Sequence, residues 1–120
     1  MKYMLNTYST AEGFDPATYP AEKLRELVAF MNRLDRDLRA SGELVYDEGL
    51  TGPEQTKTVR LVDGTPTVTD GPFAEAKEVI AGFWVVDVAG FDRAVEIASK
   101  IVDYIKEPIE IRPVGEEPQV

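Results

Sequence analysis

Two amphipathic stripes at helical spacing, set among short β-rich runs, constrain this chain more than any other feature. Leu24, Leu27, Val28, Met31, Leu34 and Leu38 fall on one face of a helix. Pro20 suits a first helical position, Glu22 favours the positive start, Arg36 and Arg39 the negative end, and Gly42 a C-terminal cap. This pattern predicts a helix over residues 21–41. Phe91, Ala94, Val95, Ala98, Ile101, Val102 and Ile105 form the second stripe, which ends before Pro108. A helix with one apolar stripe has one face to bury, so each must lie on something flat.

The intervening segments supply a sheet. Residues 2–8 alternate loosely and read as a first strand, and residues 43–47 as a second before Gly49, Gly52 and Pro53 break it. Residues 57–62 alternate Val59 and Leu61 against Thr58 and Arg60. Asp63-Gly64 then signals a tight hairpin returning over 65–69, with Pro66 favouring an edge. Residues 74–79 suggest a short helical turn. Residues 81–88 contain Phe83-Trp84-Val85-Val86, a near-continuous run expected of a central strand covered on both faces. Ile109 and Ile111 mark a last strand. Residues 9–20, with one Gly and two Pro, read as a connecting loop long enough to act as a lid.

Strand–helix–strand, inserted hairpin, strand–helix–strand is the order of an α+β, ferredoxin-like split βαβ fold. It occupies residues 1–114 as one domain, with 115–120 a solvated tail. Both single-striped helices are expected on one sheet face. The other face would leave the large side chains of residues 83–86 wet, and a symmetric second subunit is the economical cover. That arrangement is a dimeric α/β-barrel; an open monomer with a polar outer face is its competitor.

Composition narrows the chemistry. There is no cysteine, which excludes disulfides and thiolate chemistry, and no histidine, so proton transfer would fall to Asp, Glu, Lys, Tyr or water. With 22 acidic and 13 basic residues the formal charge is −9, which opposes binding to nucleic acid and anionic membranes. The strand order is shared with RNA-recognition modules, but the basic residue expected before Gly82-Phe83-Trp84-Val85 is absent. No secretory leader or spanning segment is apparent, so a cytoplasmic protein is expected. No phosphate loop, HExxH or calcium-loop motif points to a metal or cofactor, although a carboxylate site for a hard cation leaves no tight spacing to find.

The segment Asp70-Gly71-Pro72-Phe73-Ala74-Glu75-Ala76-Lys77-Glu78, followed by Gly82-Phe83, resembles the signature of the DGPF proteins of the YCII-related family. Met1-Lys2-Tyr3-Met4, Thr58-Val59-Arg60, Val68-Thr69-Asp70 and Ile111-Arg112-Pro113-Val114 extend the resemblance over nearly the whole chain. It implies a ferredoxin-like fold, a homodimeric α/β-barrel and a functional link to an alternative sigma factor. It implies no particular reaction. YCII-type members carry a His–Asp pair in a cleft, which a chain without histidine cannot reproduce.

Asp70 is the foremost candidate for chemistry, as a carboxylate beside a rigid Gly-Pro turn; Asp also starts turns simply by bonding its own backbone. Arg60 alternates to the strand face opposite Val59 and Leu61, and Arg112 follows the same logic. Either would need a carboxylate such as Asp70 or Glu48 if buried, or would clamp an anionic ligand. Glu75, Lys77 and Glu78 form a polar cluster that could bind a polar ligand but reads first as a solvated face. Phe73, Phe83 and Trp84 offer apolar walls or plain core, and Tyr8, Phe14 and Tyr19 flank the long loop. Two functions follow, beside a purely structural role with no ligand. One is a homodimeric small-ligand-binding or regulatory module, with a small polar ligand held near Asp70 by Arg60, Phe73, Lys77, Glu48 and Arg112. The other is a cofactor-free lyase or isomerase-type enzyme with Asp70 as general acid/base.

Overall fold

The computed structural model describes residues 1–10, 19–73 and 77–116. Among these residues, six strands and two long helices follow the expected order: β1 (Lys2–Thr10), α1 (Ala21–Ala40), β2 (Leu44–Gly49), β3 (Lys57–Val62), β4 (Thr65–Asp70), β5 (Glu78–Asp87), α2 (Phe91–Ile105) and β6 (Glu110–Pro113). A single 3-10 turn, Pro53–Gln55, lies between β2 and β3. The main sheet has the order β2-β5-β1-β6. Its neighbours are all antiparallel, and its two inner strands are those that begin the two strand–helix–strand units. This is the ferredoxin-like split βαβ arrangement, α+β in class. The inserted β3–β4 hairpin forms its own two-stranded sheet.

Alternation places the core. Tyr3 and Leu5 on β1 stand opposite Val86 and Trp84 on β5. These four side chains, with Leu34 and Leu38 of α1 and Ala94, Ile97, Ala98 and Ile101 of α2, form one buried cluster. Both helices therefore cover the same face, as the single stripes require. Leu5, Val86, Ile97 and Ile101 are fully buried, and each such side chain contributes about 1.5–3 kcal/mol.

α1 stops where its sequence says it should. Gly42 adopts a φ of 77°, and its N–H bonds the Arg39 carbonyl while the Glu43 N–H reaches back to Leu38 at 2.9 Å. This pair of bonds is a Schellman motif, and the left-handed residue it needs is Gly. At the hairpin, Asp63 and Gly64 both take positive φ, 51° and 81°, as a type I′ turn requires.

Two expectations change. Residues 74–76 lie outside the described residues, but Glu78 and Val79, expected in a helical turn, belong to β5. β1 runs on to Thr10 and pairs Ser9 with Val79 and Thr10 with Glu78, so ladder bonds override a locally helix-compatible segment. Likewise Ser9 and Thr10 belong to strand rather than loop, while residues 11–18, the proposed lid, are outside the described set, as are residues 117–120 of the tail.

β5 is central as expected, yet this chain's helices cover only one of its faces. The other carries Met4, Phe83 and Val85, partly buried, with Tyr46 stacked at a tilt on Phe83. The hairpin projects with Val59, Leu61 and Val68 each more than 60% exposed. Val59 pairs with Val68 and Leu61 with Pro66, so these side chains make one apolar stripe. The accessible surface is 8836 Å², against about 6,400 Å² for a compact chain of this mass. The radius of gyration is 16.8 Å, against about 13.6 Å for a compact fold of this length. No helix among the described residues is long and apolar enough to cross a membrane.

Candidate functional site

β4 ends in the turn that carries the most distinctive motif of the sequence. Gly71 has a φ of 86°, a conformation that a Cβ disfavours. Its N–H donates to the Thr56 carbonyl at 2.7 Å, and its carbonyl accepts from Thr58 Oγ1 at 2.7 Å. The turn is thus tied to the start of β3 by two bonds. This anchoring sets Pro72 and Phe73 over the segment that follows β2.

Between them lies a cleft of about 440 Å³. Its walls are Leu50, Pro53, Pro72, Phe73, Val79 and Ile80, contributed by three separate segments. Thr51, Thr56 and Glu78 supply the polar groups. The cleft has the composition of a small-molecule site, apolar with a few polar fixing points.

Of the six residues singled out from sequence, Phe73 lines this cleft, and Arg60 lies over its ring at 5.8 Å from the centroid. Asp70 does not line it. Its carboxylate leaves the end of β4 with its side chain 89% exposed and pairs with Lys57, its direct cross-strand neighbour. The expected Asp70–Arg60 pairing is therefore replaced by Asp70–Lys57, because strand register puts Arg60 opposite Thr67. Lys77 is exposed beside the start of β5. Glu48 sits on β2 and accepts a bond from the Tyr46 hydroxyl at 3.1 Å, which raises the tyrosine's pKa. Arg112, opposite Met4 on β6, belongs to the uncovered sheet face with Glu48 rather than to the cleft. Tyr8 bonds Glu110 at 3.1 Å. Glu75 and Phe14 lie outside the described residues. Among the described residues no cluster of three acidic side chains is placed to hold a metal ion.

Sequence reasoning missed most of the cleft wall. Leu50 was the available signal, a large apolar residue between Gly49 and Gly52 where a loop would be polar. A second, smaller groove of about 240 Å³ runs between the helices, floored by Phe30, Leu34, Leu38 and Ile97 with Arg33, Arg93 and Lys100 at its edge.

A half-buried ion pair lies elsewhere. Glu43, at the foot of β2, meets Arg93 of α2 through Nε–Oε2 and Nη2–Oε1 bonds, both 2.8 Å. The Ser41 hydroxyl adds a third bond at 2.8 Å. Bonding to Arg93 above all, against the opposing effect of burial, holds the Glu43 carboxyl at about 2.

The order of strands, the one-sided helical layer and the inserted hairpin define a small ferredoxin-like α+β protein with a cleft beside its turn motif. A family model described as the YCII-related domain matches residues 1–117, and the chain belongs to that family. An uncharacterized protein of Rhizobium meliloti is 37% identical over 73 residues, a match covering 55% of this chain and 59% of that protein.

Proposed function

We propose that the chain is a homodimeric, cytoplasmic small-ligand-binding module, regulatory rather than catalytic, whose ligand occupies the cleft beneath the Gly71-Pro72-Phe73 turn. The observation that carries this reading is the cleft itself, an apolar pocket built at the most distinctive motif of the chain. Six apolar walls and three polar groups suit a ligand with an apolar body and a polar end, bonded to Thr51 or Thr56 or to the Glu78 carboxylate. Binding is favoured over catalysis because Asp70, the candidate acid/base, stands outside the cleft in solvent beside Lys57.

The dimer rests on two unpartnered apolar surfaces of one chain. One is the sheet face around Met4, Phe83 and Val85; the other is the hairpin stripe of Val59, Leu61 and Val68. A second copy meets both needs at once by laying its hairpin along the open sheet while receiving the first chain's hairpin in return. A sigma-factor partner, which the family resemblance implies, would read the ligand state of this dimer.

The test is a fragment screen by NMR on the labelled protein, repeated with Phe73→Ala. Binders should shift Thr51, Thr56 and Ile80 amides in the parent and lose at least about tenfold in affinity in the variant. Binders that shift only the inter-helical groove, or that bind the variant equally well, would place the site elsewhere.

A further inference from the structure

The helix-facing side of β2 carries an acid where a core residue would be expected. Asp47 stands opposite Trp84 in the β2–β5 register, and Trp84 is a core residue only 6% exposed. Directly opposed residues share a sheet face, so Asp47 points toward α1. There it meets Asp35, one position beyond the buried Leu34, with the two carboxyls within hydrogen-bonding reach of each other. Two ionised carboxylates have acceptors only and cannot bond to one another. Asp35 Oδ1 is also buried with no donor among the described residues, and an orphaned buried acceptor is costly. A proton on Asp47 supplies the donor that such a contact between two carboxyls requires.

The charged surroundings do not supply an alternative. Arg39, one turn further along α1, acts on Asp47 in the opposite direction but is outweighed by burial and Asp35, and Glu48 beside it adds a further negative charge. From β5 the facing residue is the uncharged Trp84.

We propose that Asp35 and Asp47 share one proton and so form a latch between α1 and β2 that loosens as pH rises past neutrality. Burial first, then the bond to Asp35 and the charge of Asp35, holds the Asp47 carboxyl far above the usual range, at about 7. The sign of the effect follows from the raised value. An unfolded Asp releases its proton near pH ~4, whereas the folded pair keeps it to about 7, so the native state binds more protons across that window. Stability conferred by the latch is complete below about pH 4, declines as pH rises, and is gone above about 7. Deprotonation then places two like charges in a half-buried seam, and separation of α1 from the β2 edge relieves them.

The deciding experiment is a carbon-detected NMR titration of the Asp carboxyls in the intact protein, with urea denaturation of wild type, Asp47→Asn and Asp35→Asn across the same pH range. One carboxyl should titrate near pH ~7, and the wild-type unfolding constant should rise by up to about tenfold per pH unit inside the window. Asp47→Asn, whose amide still offers Asp35 a donor, should flatten that dependence. In Asp35→Asn, the midpoint of Asp47 should fall below the wild-type value while burial keeps it above ~4. Corrected amide-exchange protection of α1 around Leu34 should drop between about pH 6 and about pH 8 in wild type but not in Asp47→Asn. Every Asp titrating below about 5, or pH slopes unchanged by either substitution, would overturn the shared proton. Unchanged α1 protection across neutrality would overturn the latch. The wild-type titration decides even should a variant fail to fold.

Discussion

Replacing Arg93 by Met removes the guanidinium that joins α2 to the foot of β2, and its cost should depend on pH in a defined way. Glu43 is held at about 2 instead of its ordinary 4.5. A shift of that size, at about 1.4 kcal/mol per pKa unit, sets a ceiling of roughly 3.4 kcal/mol. The Glu43 side chain is 17% exposed and that of Arg93 31%, so solvent screens part of it and about 1–2 kcal/mol is expected. Because the folded value is depressed, the contribution is present above about pH 4.5 and disappears as pH falls toward about 2. The second contact of Arg93, to Glu96, adds little, since Glu96 is 63% exposed and three residues along the same helix. Denaturant unfolding of wild type and Arg93→Met, followed by circular dichroism, should show a difference of about 1–2 kcal/mol near pH 7 that shrinks toward zero near pH 2. An equal difference at both pH values would mean that Arg93 acts through packing of its aliphatic stem, and the electrostatic reasoning would be refuted.

Further outcomes follow from the same structure. Ile97→Ala removes a fully buried side chain and should cost about 2–5 kcal/mol in denaturant unfolding, depending on how far the core collapses. Gly71→Ala forces a Cβ onto a residue with φ of 86° and should lower stability by about 1 kcal/mol, read as a downward shift in Tm. Leu61→Lys, on a side chain 71% exposed in the single chain, should leave the circular dichroism spectrum unchanged while weakening self-association by at least about tenfold in dilution experiments. An Arg93-linked loss below about pH 4.5 and an Asp47-linked loss above about pH 4 should together place the stability maximum in mildly acidic solution.

The elements that the residues announced were those governed by local period and turn chemistry. The stripes of α1 and α2, the Schellman end at Gly42 and the Asp63-Gly64 turn all depend on neighbours within a few positions. The sheet order followed because a split βαβ pattern leaves few ways to bring single-striped helices onto one face. What stayed hidden depended on register or distance. Glu43 and Arg93 are 50 positions apart, and nothing local marks them as partners. Asp35 and Asp47 look like ordinary surface acids until β2 is aligned on β5, because one residue of slip would turn Asp47 to the other face. The partner of Asp70 was likewise a matter of register. Its turn is held through the Gly71 backbone, and the register of β3 and β4 hands the carboxylate to Lys57.

Light scattering on the purified chain at micromolar concentration goes most directly to whether a twin copy shields the bare sheet. A particle near twice 13.3 kDa is expected. A particle of 13.3 kDa, stable with Phe83 and Leu61 left in water, would contradict it.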